Sequence, residues 1–235
     1  MNFIIAPGHG EIFQGCLYTH EGVKTNLLIE GIPGQGFDAL TKLRYEEDPA
    51  PFNAAVLNLL QRYAPPIYAN VDPEQFGAIG PQHLIQGAIT PTVRRAYADL
   101  GNGKFAMAVG DVHIVNDPII GQGANTASHS AWTLGEEIMT HTAFNEAFCK
   151  QVEQKLLDYA LPVTNWSNAF LQPPPPHIIG LLINAMQNKT VATAFADGFN
   201  TPDAMWNVIS NPEKTEAFIQ EHRLARGSVV MQIDK

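Results

Sequence analysis

The sequence predicts an α+β fold in which an antiparallel sheet comes first and helices follow. Three observations predict it. Runs rich in Ile, Leu, Val and Phe, bounded by Gly-containing turns, fill the first thirty residues. The second half instead repeats its apolar residues at helical spacing. The two patterns are segregated along the chain, which argues against an alternating βαβ sheet. With 235 residues, 45% of them hydrophobic and 16% charged, the chain can bury a core and lacks the composition of a disordered one.

Asn2 to Ala6 reads as a strand, and Pro7-Gly8-His9-Gly10 as a turn. Glu11 to Thr19 and Val23 to Ile32 flank His20-Glu21-Gly22, which makes an antiparallel meander that ends at Pro33-Gly34-Gln35-Gly36. Phe13, Leu17, Leu27 and Ile29 alternate along these strands and either pack in the core or line an apolar pocket. Asp48-Pro49 starts a helix with Phe52, Val56, Leu59, Leu60 and Tyr63 on one face, and Pro65-Pro66 stops it. Asp72-Pro73-Glu74 predicts another helix start. Leu84 to Ala88 leads into an expected strand, broken by Pro91, that runs towards Val93-Arg94-Arg95. Leu100-Gly101-Asn102-Gly103-Lys104 is a turn before Phe105 to Val109, an apolar run that reads as a buried strand.

The remainder is helical in pattern. Helices are expected over Ala124 to Thr140 and over Ala143 to Tyr159, the latter with Phe144, Phe148, Val152 and Leu156 on one face. Shorter ones are expected over Val163 to Leu171, His177 to Met186, Val191 to Phe199, Pro202 to Ile209 and Pro212 to His222. Pro173-Pro174-Pro175-Pro176 forces an extended connection between two of them. From Gly227 onwards the chain reads as either a strand or disorder.

The bulk numbers exclude several function classes. A net charge of −9 disfavours nucleic acid, whose phosphates need clustered Lys and Arg. Cys16 and Cys149 form no C-x-x-C, which argues against zinc or a disulfide framework and fits a reducing cytoplasm. No stretch approaches the ~20 apolar residues of a membrane span. His9, Glu11, His20 and Glu21 lie close in sequence, yet neither H-x-x-x-H nor H-E-x-x-H occurs, so no metal site is expected.

The segment from Gly110 to Asn125 carries the chemistry. Gly110-Asp111 follows the expected strand, and Pro118-Ile119-Ile120-Gly121-Gln122-Gly123-Ala124-Asn125 turns into a helix. This is not a dinucleotide fingerprint, because Gly121-Gln122-Gly123 lacks the third glycine and lies too far beyond its strand. Gly121 and Gly123 permit positive φ and close backbone approach. The turn delivers the free N–H groups of a helix N-terminus around Ala124 and Asn125, a site for an anion. A reduced flavin, negative at N1 and C2=O, suits it. The helix dipole contributes about 0.3–1 kcal/mol when exposed and up to ~2 kcal/mol when partly buried. About 1.4 kcal/mol corresponds to one pKa unit, enough to favour the anionic form. Ala127, Ser128, Ala131 and Gly135 keep the following helix face small.

These residues carry a family resemblance. Gly110 to Ile138, ending Ala131-Trp132-Thr133-Leu134-Gly135-Glu136-Glu137-Ile138, resembles the second flavin-contacting motif of the p-hydroxybenzoate-hydroxylase-like flavoprotein monooxygenases. More narrowly it resembles the oxygenase component of styrene and indole monooxygenases. Pro7-Gly8-His9-Gly10-Glu11, Asp48-Pro49, Asn102-Gly103-Lys104, and Phe199-Asn200 with Pro202 and Trp206 match it as well. No G-x-G-x-x-G unit for the ADP half of FAD precedes the motif, and the first strand begins one residue after Met1. The chain therefore reads as the C-terminal portion of such an oxygenase.

The resemblance implies a substrate-binding sheet domain with helices over 1–100. It implies a flavin-facing strand, turn and helix over 101–141, a helical region over 142–226 and a tail over 227–235. It implies epoxidation of styrene- or indole-like aromatics through a flavin hydroperoxide, with reduced FAD supplied by a separate reductase and no catalytic side chain. Gly110, Asp111, Pro118, Gly121, Gln122, Gly123, Ala124 and Asn125 would hold the cofactor, with Asp111 on the ribityl chain. Ile119, Ile120, Phe13 and Leu27 would face substrate. This chain alone is expected to bind FAD weakly or not at all, and to be inactive. A truncated sheet would expose apolar edges, so a homodimer is expected. Two competing readings are a non-catalytic binder of a small apolar ligand and a piece of a one-component, NAD(P)H-dependent aromatic hydroxylase.

Overall fold

A computed structural model of the chain describes residues 2–6, 9–171 and 173–224. They divide into two compact units, Met1–Ala88 and Ile89–Lys235. The division places 89–100 with the glycine turn, twelve residues earlier than the expected boundary at 100.

The first unit is the expected meander packed on one helix. Strands β1 (Asn2–Ala6), β2 (Gly10–Thr19) and β3 (Gly22–Gly31) pair antiparallel in that order. Ile12 opposes Ile29 and Gln14 opposes Leu27, while Phe13 opposes Leu28. Opposed residues share a sheet face, so Ile12, Leu27 and Ile29 lie on one face and Phe13 and Leu28 on the other. The first face packs on α1 (Pro49–Tyr63), where Ile12, Phe37, Val56, Leu59 and Leu60 form a buried cluster with Leu27 and Ile29 against it. Asp48 begins α1 as expected, its Oδ1 accepting from the Ala50 N–H at 3.2 Å. Pro65-Pro66 ends α1 but not helical structure. Ala64 leaves helical geometry and α2 (Pro65–Tyr68) restarts with proline in its first turn, where a missing N–H costs nothing.

Three expectations fail in this unit. Asp72 caps a turn rather than a helix, accepting from the Glu74 N–H at 3.1 Å and from Gln75 Nε2 at 2.7 Å. Gly77 and Gly80-Pro81 follow, and both residue types oppose helix propagation. Residues 84–90 form no strand, and of the strand expected to run towards Val93 only Thr92–Val93 forms. Gln86 instead anchors the segment, its Nε2 donating to the carbonyls of Leu40 at 2.9 Å and Leu43 at 2.7 Å. Leu17 is 51% exposed, out on the hairpin beyond the cluster beneath α1.

In the second unit, β4 (Thr92–Val93) is followed by a hairpin of β5 (Tyr97–Gly101) and β6 (Lys104–Met107), and then by β7 (Ile114–Val115), which pairs antiparallel with β4. The expected buried strand at Phe105 to Val109 is an arm of this hairpin. Phe105 and Met107 are half-buried, and Lys104 and Ala106 are exposed. Its partner β5 has no clear signal in the sequence, because Tyr-Ala-Asp-Leu-Gly shows little alternation.

The helices are α3 (Gly123–Thr140), α4 (Glu146–Leu171), α5 (Pro176–Gln187), α6 (Lys189–Asp197), α7 (Pro202–Ile209) and α8 (Pro212–Leu224). Two expected helices are thus one, with Pro162 inside α4. Proline removes one helical hydrogen bond. Here Leu156, Ala160, Val163 and Trp166 are all fully buried around it, and that burial holds the helix through the proline. Asn145 caps α4, its Oδ1 accepting from the Phe148 N–H at 3.1 Å. Trp166, Leu181, Val191, Met205 and Ile209 build the core between α4 and the last four helices. Phe148, Val152 and Leu156 pack a second cluster with Ala96 and Tyr97. The tail over 227–235 lies outside the described residues.

Ile12 is fully buried and Leu17 is half-exposed on the same strand. Ile12→Ala is expected to cost about 2–5 kcal/mol and Leu17→Ala under ~0.5 kcal/mol, read from urea denaturation. Equal costs would contradict the register.

Candidate functional site

A series of hydrogen bonds holds the turn from Gly110 to Asn125. Gly110–Val112 makes one 3-10 turn, so Asp111 lies on that turn and not at a strand end as expected. Gly110 has φ +61°, and a Cβ on it would lie 3.4 Å from the Cβ of Ala127, which marks how closely the turn approaches α3. The His113 N–H donates to the Gly110 carbonyl at 2.9 Å, and the Arg94 N–H donates to the His113 carbonyl at 2.8 Å. Arg94 Nη1 donates to the Asp111 carbonyl at 3.1 Å, which leaves the Asp111 carboxylate exposed. Downstream, Thr164 Oγ1 donates to buried Asn116 Oδ1 at 2.6 Å and ties the segment to α4.

Asp117 then caps a second 3-10 turn, Pro118–Ile120, its Oδ1 accepting from the Ile119 N–H at 3.0 Å. Gly121 closes that turn at φ +65°, with its N–H donating to the Pro118 carbonyl at 2.7 Å. Gly123 needs no positive φ. It is the first residue of α3. The first helical bond runs from the Thr126 N–H to the Gln122 carbonyl at 2.9 Å, and no side chain caps α3. The N–H groups of Gly123, Ala124 and Asn125 therefore have no acceptor among the described residues. Apart from the adjoining residues and the backbone of α3 itself, no heavy atom of the described residues lies within 4 Å of the place a Cβ would take on Gly121 or Gly123. Three unspent donors beneath an open approach at the positive end of an 18-residue helix suit an electron-rich ligand edge.

Other predicted residues are placed differently. Ile120 is buried in the core beside Val163 and Trp166, and Ile119 packs half-buried against it. Gln122 is 4% exposed, its Nε2 donating to the Phe199 carbonyl at 3.1 Å and its Oε1 accepting from Asn125 Nδ2 at 3.0 Å. Phe13 and Leu27 belong to the first unit, where they lie on opposite faces of the sheet and cannot line one pocket together. Sequence reasoning misses Arg94, Asn116 and Asp117. Asp117-Pro118 repeats the Asp48-Pro49 cap signature and could have revealed its residue, whereas the Asn116–Thr164 bond spans 48 positions and has no local signal.

Three further features border the site. A concavity of about 500 Å³ is lined by Arg94, Arg95, Tyr97, Ala106, Val109 and Val112, and contains none of the predicted cofactor residues. His113 is buried with neither ring nitrogen hydrogen-bonded among the described residues. His129 stacks on Tyr159 with ring centroids 3.7 Å apart. Among the described residues no group of three His, Cys, Asp or Glu could hold a metal, and no helix is long and apolar enough to cross a membrane.

Comparison with known proteins supplies a relationship. A family model described as "Styrene monooxygenase A putative substrate binding domain" matches residues 1–70. The chain is 35% identical to styrene monooxygenase StyA of Pseudomonas fluorescens over 213 residues, covering 89% of this chain and 51% of that protein. It is 34% identical to styrene monooxygenase StyA of Pseudomonas sp over the same shares. The chain spans about half the length of the curated relatives it matches.

Burial pushes the His113 imidazole below its ordinary value, with Glu153 opposing, and burial lowers His129 in the same way against Asp203. Below a free imidazole value of about 6.5 the unfolded chain binds protons that the folded chain does not. Stability present above that pH is therefore lost on acidification, down to the depressed folded values. The Glu137 carboxyl, held low by the Lys155 ammonium, acts in a more acidic window. The melting temperature of the wild type is expected to fall between about pH 7.5 and about pH 5.5, and less steeply in His113→Leu. Identical slopes would contradict this account.

Proposed function

We propose that this chain, which is StyA-like over 89% of its length, provides the substrate-binding and flavin-facing part of an FAD-dependent monooxygenase for styrene- or indole-like aromatics. Reduced FAD would come from a separate reductase. The observation that carries the proposal is the uncapped start of α3 behind left-handed Gly121, in a chain with this relationship. FAD, when bound, supplies the activation of dioxygen. The chain itself binds and orients. The N–H groups of Gly123, Ala124 and Asn125 would donate to the electron-rich pyrimidine edge of the flavin. The dipole of α3 adds about 0.3–1 kcal/mol and up to ~2 kcal/mol as water is excluded. The exposed Asp111 carboxylate can accept from ribityl hydroxyls, and Gly110 lets its turn lie close against α3. Neither group needs to act as an acid or base.

Substrate recognition is assigned to the sheet face carrying Phe13. The opposite face, with Ile12 and Leu27, is already committed to α1. An aromatic ring on Phe13 would gain edge or offset stacking worth about 0.5–1.5 kcal/mol. A cytoplasmic setting fits Cys16 and Cys149, both free. Self-association is proposed as well, because Trp132 is 71% and Met139 79% exposed on one side of α3. A concentration-independent monomer in light scattering would overturn that part.

Anaerobic titration followed by amide NMR tests the flavin reading, since it detects weak binding. Reduced FAD is expected to shift the amides of Gly123, Ala124 and Asn125 more than oxidised FAD does, and Asp111→Ala to weaken binding about threefold to tenfold. Identical responses to both redox forms would overturn it. Shifts with indole at Phe13 alone, without any flavin response, would favour the non-catalytic binder.

A further inference from the structure

We propose that Gln122 is a positioning residue that decides which end of the Asn125 amide is offered to a ligand at the start of α3. The inference rests on the flavin-facing reading above.

Gln122 is 4% exposed, whereas glutamine is mostly a surface residue, and it does not cap the helix it precedes. Its Nε2 donates to the Phe199 carbonyl, 77 positions away, at 3.1 Å. A carbonyl can only accept, so this bond fixes the orientation of the Gln122 amide and turns Oε1 away from Phe199. That oxygen can only accept in turn, and it takes Asn125 Nδ2 at 3.0 Å. The Asn125 amide thus has its nitrogen held inward. Its Oδ1 is left over, without a hydrogen bond among the described residues.

The relay begins on a firm support. The Phe199 ring packs 4.6 Å from fully buried Trp166 of α4, and the Thr201 N–H donates to the Gly198 carbonyl at 3.1 Å. Core packing around Trp166 therefore sets the chemistry of a side chain at the mouth of α3. With the relay in place, the helix start offers three N–H donors and one side-chain acceptor. Its complement is a ligand edge on which an acceptor adjoins a donor, as in a cyclic imide. Sulfate offers acceptors alone and lacks that complement. Loss of the relay would free Asn125 to present either end.

The test follows the Asn125 side-chain amide by NMR in the full chain, in wild type, Gln122→Leu and Gln122→Glu. Gln122→Leu keeps buried volume and removes both bonds, and Gln122→Glu keeps an acceptor for Asn125. The wild-type Asn125 amide protons are expected to exchange slowly, at least about tenfold faster in Gln122→Leu, with Gln122→Glu retaining part of the protection. Reduced-FAD affinity is expected to fall about tenfold in Gln122→Leu and less in Gln122→Glu, with near-ultraviolet dichroism confirming that both fold. Unchanged Asn125 exchange in Gln122→Leu overturns the inference, as does unchanged flavin affinity once exchange has risen. Protection that Gln122→Leu removes supports the positioning role even if the wild type binds no flavin, a failure that counts against the flavin reading alone.

Discussion

The buried stripe of α4 is the constraint on which the second unit depends. Val152, Leu156, Ala160, Val163 and Trp166 are all fully buried along one side of this helix. Three polar attachments around the site are made to the same helix. Glu153 Oε1 accepts from the Ala96 N–H at 2.7 Å and aligns the hairpin, and Thr164 holds Asn116. Lys155 Nζ donates to Glu137 Oε1 at 2.5 Å and secures the far end of α3. Fully burying each such apolar side chain is worth about 1.5–3 kcal/mol, more than the roughly 0.5–1.5 kcal/mol of a single hydrogen bond. Packing thus keeps α4 continuous through Pro162, and the hydrogen bonds then decide what is mounted on it.

What is mounted is a helix start left short of partners. Several helices are capped by side chains, as at Asp48, Asn145 and Asn188, and α2, α5 and α7, which have no such cap, each begin with proline, which has no N–H to satisfy. At α3 the residue in the capping place, Gln122, turns inward instead. The donors remain available, and the two left-handed glycines, Gly110 and Gly121, fold the turns that flank them. Under the proposed function, the open start of α3 is the place for a flavin edge. The cost is modest because Gly123, Ala124 and Asn125 are close to solvent, where water satisfies unpaired N–H groups.

Much of this is legible in the residue pattern alone. The meander follows from period-two runs between glycine turns, and α1 from the Asp48-Pro49 cap and its apolar face. The glycine turn announces a helix start with free donors. The expectations that fail share a cause. Asp72-Pro73 resembles Asp48-Pro49 locally, but only the latter is followed by residues that a sheet covers. Leu84 to Ala88 is apolar enough for a strand, yet no neighbour supplies a ladder, and Gln86 ties it to Leu40 and Leu43 instead. Pro162 ends a helix in isolation and fails to do so when both flanks are buried.

By itself, then, the sequence determined the order of sheet and helices, the turns that glycine and proline impose, and the likeness to StyA. These depend on the spacing of residues along one stretch of backbone. Tertiary structure alone decided which face of the sheet Phe13 occupies, where Ile120 is buried, and which way Gln122 and Asn125 point. Those choices turn on partners such as Phe199 and Thr164, tens of positions away, and a side chain's hydrogen-bond role is fixed only when such a partner arrives.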